Sequence, residues 1–183
     1  MSLASREKQR SQILQSARQI VLSDPRRKLS ADAVAKQASM ARTSLYEHFS
    51  SMNDLMGELL LNELMDFRIE VRKVLSEESD LASTTQRWAN LNLNYFSEGR
   101  HALVKALMPA ALNSNLKDEI RAQHIMLYDE LRIALARTGY ELSPIRFELV
   151  TAVLEAAAKR IESSNTPDQV RQEAVSFIVK SLA

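Results

Sequence analysis

The chain has 183 residues, with 24 Lys or Arg against 23 Asp or Glu, no cysteine, three glycines and four prolines. That length suits one ordinary domain or two small ones, and the missing cysteines exclude a disulfide scaffold, a thiolate metal site and a cysteine nucleophile. The near-neutral total conceals an asymmetry: the first fifty residues carry nine bases and four acids, the other 133 carry 15 bases and 19 acids.

A basic head on an acidic body suggests a polyanionic partner for the head, unless the surplus is only a solvated face. Aromatic residues make up 5 %, and Ala, Leu, Glu, Gln, Arg and Lys dominate. These residues lose least on entering a helix, so the chain is expected to be all-α. No apolar run approaches the ~18–20 residues of a membrane span, and the polar opening lacks the apolar core of a signal peptide. A soluble, cytoplasmic protein without a membrane partner is expected.

Apolar periodicity and end signals predict about nine helices. The first runs from about Arg6 to Leu22, with Ile13, Leu14, Ala17, Ile20 and Val21 as its stripe, and Ser23-Asp24-Pro25 stops it. Ser30 is an N-cap for a short second helix, Ala31 to Ala38. Ser39-Met40-Ala41 turns the chain into a third, about Arg42 to His48, with Leu45 inward. Two helices this short need the first as a lid on a shared core.

A long fourth helix spans about Asn53 to Ser76 and a fifth about Leu81 to Glu98, closed by Gly99. A sixth covers His101 to Leu112 with an interruption expected at Pro109. The seventh, about Leu116 to Arg137, carries Ile120, His124, Leu127 and Leu131 inward and ends at Gly139. Ser143-Pro144 and Thr166-Pro167 are N-cap and proline pairs that start the eighth and ninth helices.

The eighth helix has two adjacent apolar stripes. One is Phe147, Val150, Leu154, Ala157 and Ile161; the other is Leu149, Ala152, Val153 and Ala156. An arc that wide must be covered on two sides. With Phe177 and Ile178 of the ninth helix, the first stripe is read as half of a four-helix bundle completed by a second copy. The alternative is packing on helices five to seven.

The first three helices have the layout of a helix-turn-helix, whose last helix enters the DNA major groove. Residues 10–55, with Ile13-Leu14-x-x-Ala17, a hydroxyl cap, Val34-Ala35 and Leu45-Tyr46-x-His48-Phe49, resemble the DNA-binding domain of the TetR family of transcriptional regulators. Three positions depart from that family's pattern. Ser39 replaces the turn glycine, Ala41 a small hydroxyl residue, and Met52 the lysine opening the fourth helix.

Residue chemistry agrees with the resemblance. Arg42 in the first turn of the third helix can offer two donors to guanine O6 and N7, and Thr43 and Ser44 can touch base edges or a thymine methyl. Ser30 can offer its hydroxyl and the second helix's N-terminus to a phosphate. Tyr46 and His48 resemble the family's backbone-contacting pair; the alternatives are a core tyrosine with a wet tip and a surface imidazole. Arg26-Arg27-Lys28 is a phosphate contact or a solvated loop, and Arg6, Lys8 and Arg10 are a DNA-reaching arm or another solvated face.

The resemblance also implies a small-molecule pocket enclosed by helices four to eight. Its candidate lining is Phe67, Trp88, Asn92, Phe96, Leu107, Met108, His124 and Tyr128, each of which can instead be an ordinary core residue. The expected organisation is a helix-turn-helix DNA-binding domain over 1–52 and a ligand-binding and dimerisation domain over 53–183. The expected function is a ligand-responsive regulator, most often a repressor in this family, binding double-stranded DNA as a homodimer. No cofactor or metal is expected. A helical small-molecule-binding dimer with weakened DNA binding is the alternative. A di-iron bundle enzyme is remote, because Glu98-Gly99-Arg100-His101 straddles a glycine break and has no second copy. No nucleophilic triad is suggested either.

Overall fold

The computed structural model describes residues 3–25, 28–77 and 79–182, and the described residues form nine α-helices with no strand. They are α1 (Leu3–Ser23), α2 (Ala31–Gln37), α3 (Arg42–Tyr46), α4 (Met52–Leu75), α5 (Leu81–Ser97), α6 (Arg100–Ala111), α7 (Lys117–Ala136), α8 (Pro144–Ser163) and α9 (Pro167–Leu182). None of the described helices is long and apolar enough to cross a membrane.

Local chemistry accounts for most helix ends. Asp80 accepts a hydrogen bond from the Ser83 amide at 2.7 Å, and Ser143 accepts one from the Arg146 amide at 3.3 Å, with Pro144 following as the first helical residue. The turn glycines Gly99 and Gly139 take φ of 74° and 84°. Pro109 does not interrupt α6 as expected. It sits in the last turn, where its missing N–H forfeits one bond, and the Leu112 amide resumes bonding to Met108 O at 3.0 Å.

The chain divides into two compact units. The first comprises Met1–Leu64 and His101–Ala122, the second Met65–Arg100 and Gln123–Ala183. Helix α4 is therefore shared, and the expected division at 52/53 does not coincide with a boundary between these units.

In the first unit Ile13, Ala17 and Val21 of α1 are buried with Val34, Ala35, Leu45, Phe49, Leu55 and Leu59. Gly57 lies against the α6–α7 connection, where an added Cβ would stand 2.4 Å from Ser114 Oγ. In the second unit α5, α8 and α9 pack on one another around Leu93, Val150, Leu154, Ala174 and Ile178. This corrects the expected dimer face. Val150, Leu154, Ala157 and Ile178 are buried within their own chain, Ile161 is half-buried, and Phe147 packs at 6.1 Å from Trp88. The second stripe of α8 is the one left outside, with Leu149, Ala152 and Ala156 exposed beside the exposed Phe177 of α9.

Candidate nucleic-acid interface

The short helices of the first unit are held by their caps and by α1. Ser30 Oγ accepts from the Ala33 amide at 3.3 Å and starts α2. At its end the Met40 amide bonds to Ala35 O at 2.9 Å and the Ser39 amide to Lys36 O at 3.2 Å, a Schellman turn. Ser39 occupies the left-handed position of that turn with φ 55°. Gln12 of α1 donates to Ala38 O at 2.8 Å and ties the turn to the first helix. Ala41 then opens α3 in extended conformation with no side-chain cap.

Helix α3 hides Leu45 and presents Arg42, Thr43 and Tyr46, with Tyr46 42 % exposed; Ser44 is half-buried. The Arg42 guanidinium is held from two sides. Its Nη1 donates to both carboxylate oxygens of Asp32, at 3.0 and 3.2 Å, and its centre lies 5.9 Å from the Tyr46 ring. Tyr46 and then the Asp32 charge raise the Arg42 pKa further above its already high ordinary value. Asp32 had no signal in the apolar periodicity, since it lies ten residues away on a different helix.

His48 is corrected. It is buried, at 8 % exposure, and its Nδ1 has no hydrogen-bond partner among the described residues. The amides of His48 and Phe49 both donate to Leu45 O at 3.1 Å, so the chain turns inward here. Arg10 also departs from the expected arm. Its guanidinium donates to the Glu58 carboxylate and to His48 O, and stacks 4.2 Å from the Phe49 ring centre. Arg6 donates to Glu47 O at 3.2 Å, and Lys8 is exposed. Of the loop cations, Arg26 and Arg27 lie outside the described residues, and Lys28 is exposed.

Met52 opens α4 half-buried. Its start is held by a network the sequence reading missed. Ser51 Oγ accepts from the Asp54 amide at 3.1 Å and donates to the Asp54 carboxylate at 2.8 Å. The same carboxylate receives the Ser50 hydroxyl and the Asn115 amide. The Ser50 hydrogen bond is the largest cause holding the Asp54 carboxyl below its ordinary pKa. The Ser-x-x-Asp spacing of a capping box was the available signal.

The candidate effector-pocket residues fall in different places. Leu107 and Met108 belong to the first unit. In the second unit Trp88 and Tyr128 both pack on Phe147, at 6.1 and 5.0 Å between ring centres. The Tyr128 hydroxyl donates to Leu142 O at 3.0 Å, and Asn92 Nδ2 donates to Trp88 O at 2.9 Å. Phe67 lies against Tyr95 at 4.0 Å, beneath an Arg100 guanidinium that also bonds Glu70. Phe96 is buried. His124 is exposed and is not on an inward stripe as expected.

The geometry is that of a helix-turn-helix protein with a polar, partly cationic recognition face. Residues 13–59 match the family model described as bacterial regulatory proteins, tetR family. No curated protein matches the chain. Among solved structures, a TetR family regulator from Marinobacter aquaeolei VT8 is 15 % identical with a TM-score of 0.71, covering 99 % of both chains. A putative tetR family regulator from Shewanella sp. PV-4 is 19 % identical with a TM-score of 0.70, covering 96 % of this chain and 98 % of that one. The TetR-like regulator LfrR from Mycobacterium smegmatis, solved with proflavine, is 16 % identical with a TM-score of 0.68, covering 96 % of each. Residues 13–59 thus match the tetR family model, and the chain shares the fold of solved TetR family regulators.

Proposed function

We propose that the protein is a ligand-responsive repressor that binds a palindromic operator as a homodimer. The observation that carries this reading is the exposed trio Arg42, Thr43 and Tyr46 on a helix whose other side, Leu45, is buried. Base-edge contacts from Arg42 and Thr43 specify sequence, while Tyr46 and Ser30 position the head on phosphates. Residues 1–52 are the DNA-binding part and 53–183 the sensing and dimerising part. Two heads one DNA turn apart, ~34 Å, read two half-sites.

For the effector, the aromatic cluster of Trp88, Phe147 and Tyr128 supports a flat apolar molecule, with Asn92 as an orienting polar group. LfrR, which shares this fold, was solved in complex with proflavine. The effector acts by population shift. Moving a 1:99 balance to 99:1 takes a ~10⁴-fold preference for the arrangement that does not bind DNA.

The test is selection from random duplex DNA with purified protein at two salt concentrations. A twofold-symmetric site that survives higher salt is expected. Recovery of unselected DNA that falls away steeply with salt would favour the reading of a ligand-binding dimer with a weakened head, for which the strained Ser39 and uncapped α3 are the supporting observations. On the recovered site, Arg42→Ala is expected to cost about 1–3 kcal/mol and to relax one base position per half-site. An unchanged base preference would show that the recognition helix is in a different register.

A further inference from the structure

The recognition face contains a group that opposes DNA beside its base-reading side chain. Asp32, exposed on α2, holds a carboxylate beside the side chain expected to read a base. Any approach to the duplex carries that carboxylate toward a dense line of phosphates. Its pairing with Arg42 is solvent-exposed on both sides, so it contributes little to stability. Its position is what distinguishes it. Both carboxylate oxygens engage the same nitrogen of Arg42, Nη1, and the Tyr46 ring stands on another side of the guanidinium.

We infer that Asp32 is a specificity-determining residue of this recognition face, aiming Arg42 and penalising contact with phosphate alone. The inference rests on the proposed reading of Arg42 as a base-reading side chain. A guanidinium held at Nη1 still has Nε and Nη2, an edge that can make a two-donor contact with guanine. Freed from Asp32, the same long side chain can swing to any nearby phosphate, a contact that adds affinity and carries no sequence information. The carboxylate weakens every complex electrostatically, and the correctly matched base offsets this only where Arg42 reaches it. Discrimination rises because non-specific binding falls.

The alternative role for Asp32 is an acid in the first turn of a helix, favourable to the dipole and indifferent to DNA. The two roles separate in binding measurements with the full-length protein on its selected site and on random duplex. Asp32→Asn is expected to tighten random-duplex binding about three- to tenfold and to lower the ratio of specific to random affinity about tenfold. The loss of preference should fall on the base position that Arg42→Ala also relaxes. Asp32→Glu, which keeps the charge on a longer arm, should hold random binding at its original level while altering preference at that position.

In an Arg42→Ala background, Asp32→Asn should no longer change base preference. If Asp32→Asn leaves the preference profile and the affinity ratio as they were, or acts equally with and without Arg42, Asp32 is a helix-end acid and the inference fails. If Arg42→Ala itself relaxes no base although a symmetric site is recovered, the reading of Arg42 fails first and takes this inference with it.

Discussion

Ser39 holds φ at 55° in the Schellman turn that ends α2, whereas the equivalent turn at the end of α7 uses Gly139, at φ 84°. The bonds are the same in kind: Tyr140 amide to Leu135 O and Gly139 amide to Ala136 O there, Met40 to Ala35 and Ser39 to Lys36 here. A side chain in the left-handed region costs ~1–2 kcal/mol through Cβ crowding of the backbone. Glycine removes that crowding but makes the unfolded chain more flexible, so the net gain is smaller. Ser39→Gly should therefore stabilise the protein by about 0.5–1 kcal/mol, read as a rise of roughly 2–4 °C at most in thermal unfolding. A fall in the midpoint would mean that the serine side chain contributes a bond worth more than the strain. Arg10 makes a related point at the same scale. The charge pattern near the N-terminus suggested an arm, yet the guanidinium is already occupied by Glu58, by His48 O and by the Phe49 ring. A count of cations cannot separate those that face a partner from those that brace the fold.

At the scale of elements, the nine helices were legible because each carries its own end signal or period. Ser30, Asp80 and the Ser143-Pro144 pair set starts, and Gly99 and Gly139 set stops. What could not be read was which side of a doubly apolar helix its own chain covers. On α8 the period displays both Val150–Leu154–Ala157 and Leu149–Ala152–Val153, and only packing against α5 and α9 makes the first stripe internal. The burial of His48 was not legible either. Its burial depends on the turn made after α3, not on helical spacing. The start of α4 offers a test at this scale. Asp54 is more acidic folded than in the unfolded chain, where its pKa is near 3.8, because Ser50, Asn115 and Ser51 all hydrogen-bond the charged form. Glu130 has the same sign, held down first by Arg72 and also by Arg68. These groups contribute stability that is complete above pH about 5 and is lost as pH falls through their folded pKa values. Unfolding titrations should thus show the share of these two carboxylates level at neutral pH and declining below about pH 4. Asp54→Asn should lower stability at pH 7 and reduce the acid-limb proton uptake by up to about one proton. An acid limb identical to the unsubstituted protein's would remove Asp54 as a contributor.

For the whole molecule, assembly is the property the sequence suggested and the burial pattern redirects. The surface that α8 and α9 leave uncovered carries Leu149 at 61 % and Phe177 at 59 % exposure, with the small Ala152 and Ala156 between helices that can approach closely. A groove between the two helices continues this surface through Val153, Val170 and Ala174 to Phe177. Apolar groups gathered at this density on one face are normally covered. A twofold contact through the face would join two recognition helices into one operator-binding unit. The chain also exposes Ile69, Ile125 and Ile133 on α4 and α7, so the face must be tested against that competitor. Sedimentation should find a dimer. Leu149→Glu with Phe177→Glu should yield a helical monomer, because neither side chain supports its own chain's core. Ile125→Glu should leave the dimer intact. The monomer should bind the selected site ~10²–10⁴-fold more weakly, having lost the effective concentration that ties the second head to the first, while its binding to a single half-site stays unchanged. A dimer that survives the double substitution and yields to Ile125→Glu would move the interface to α7. The same result would require another explanation for the exposed stripe of α8.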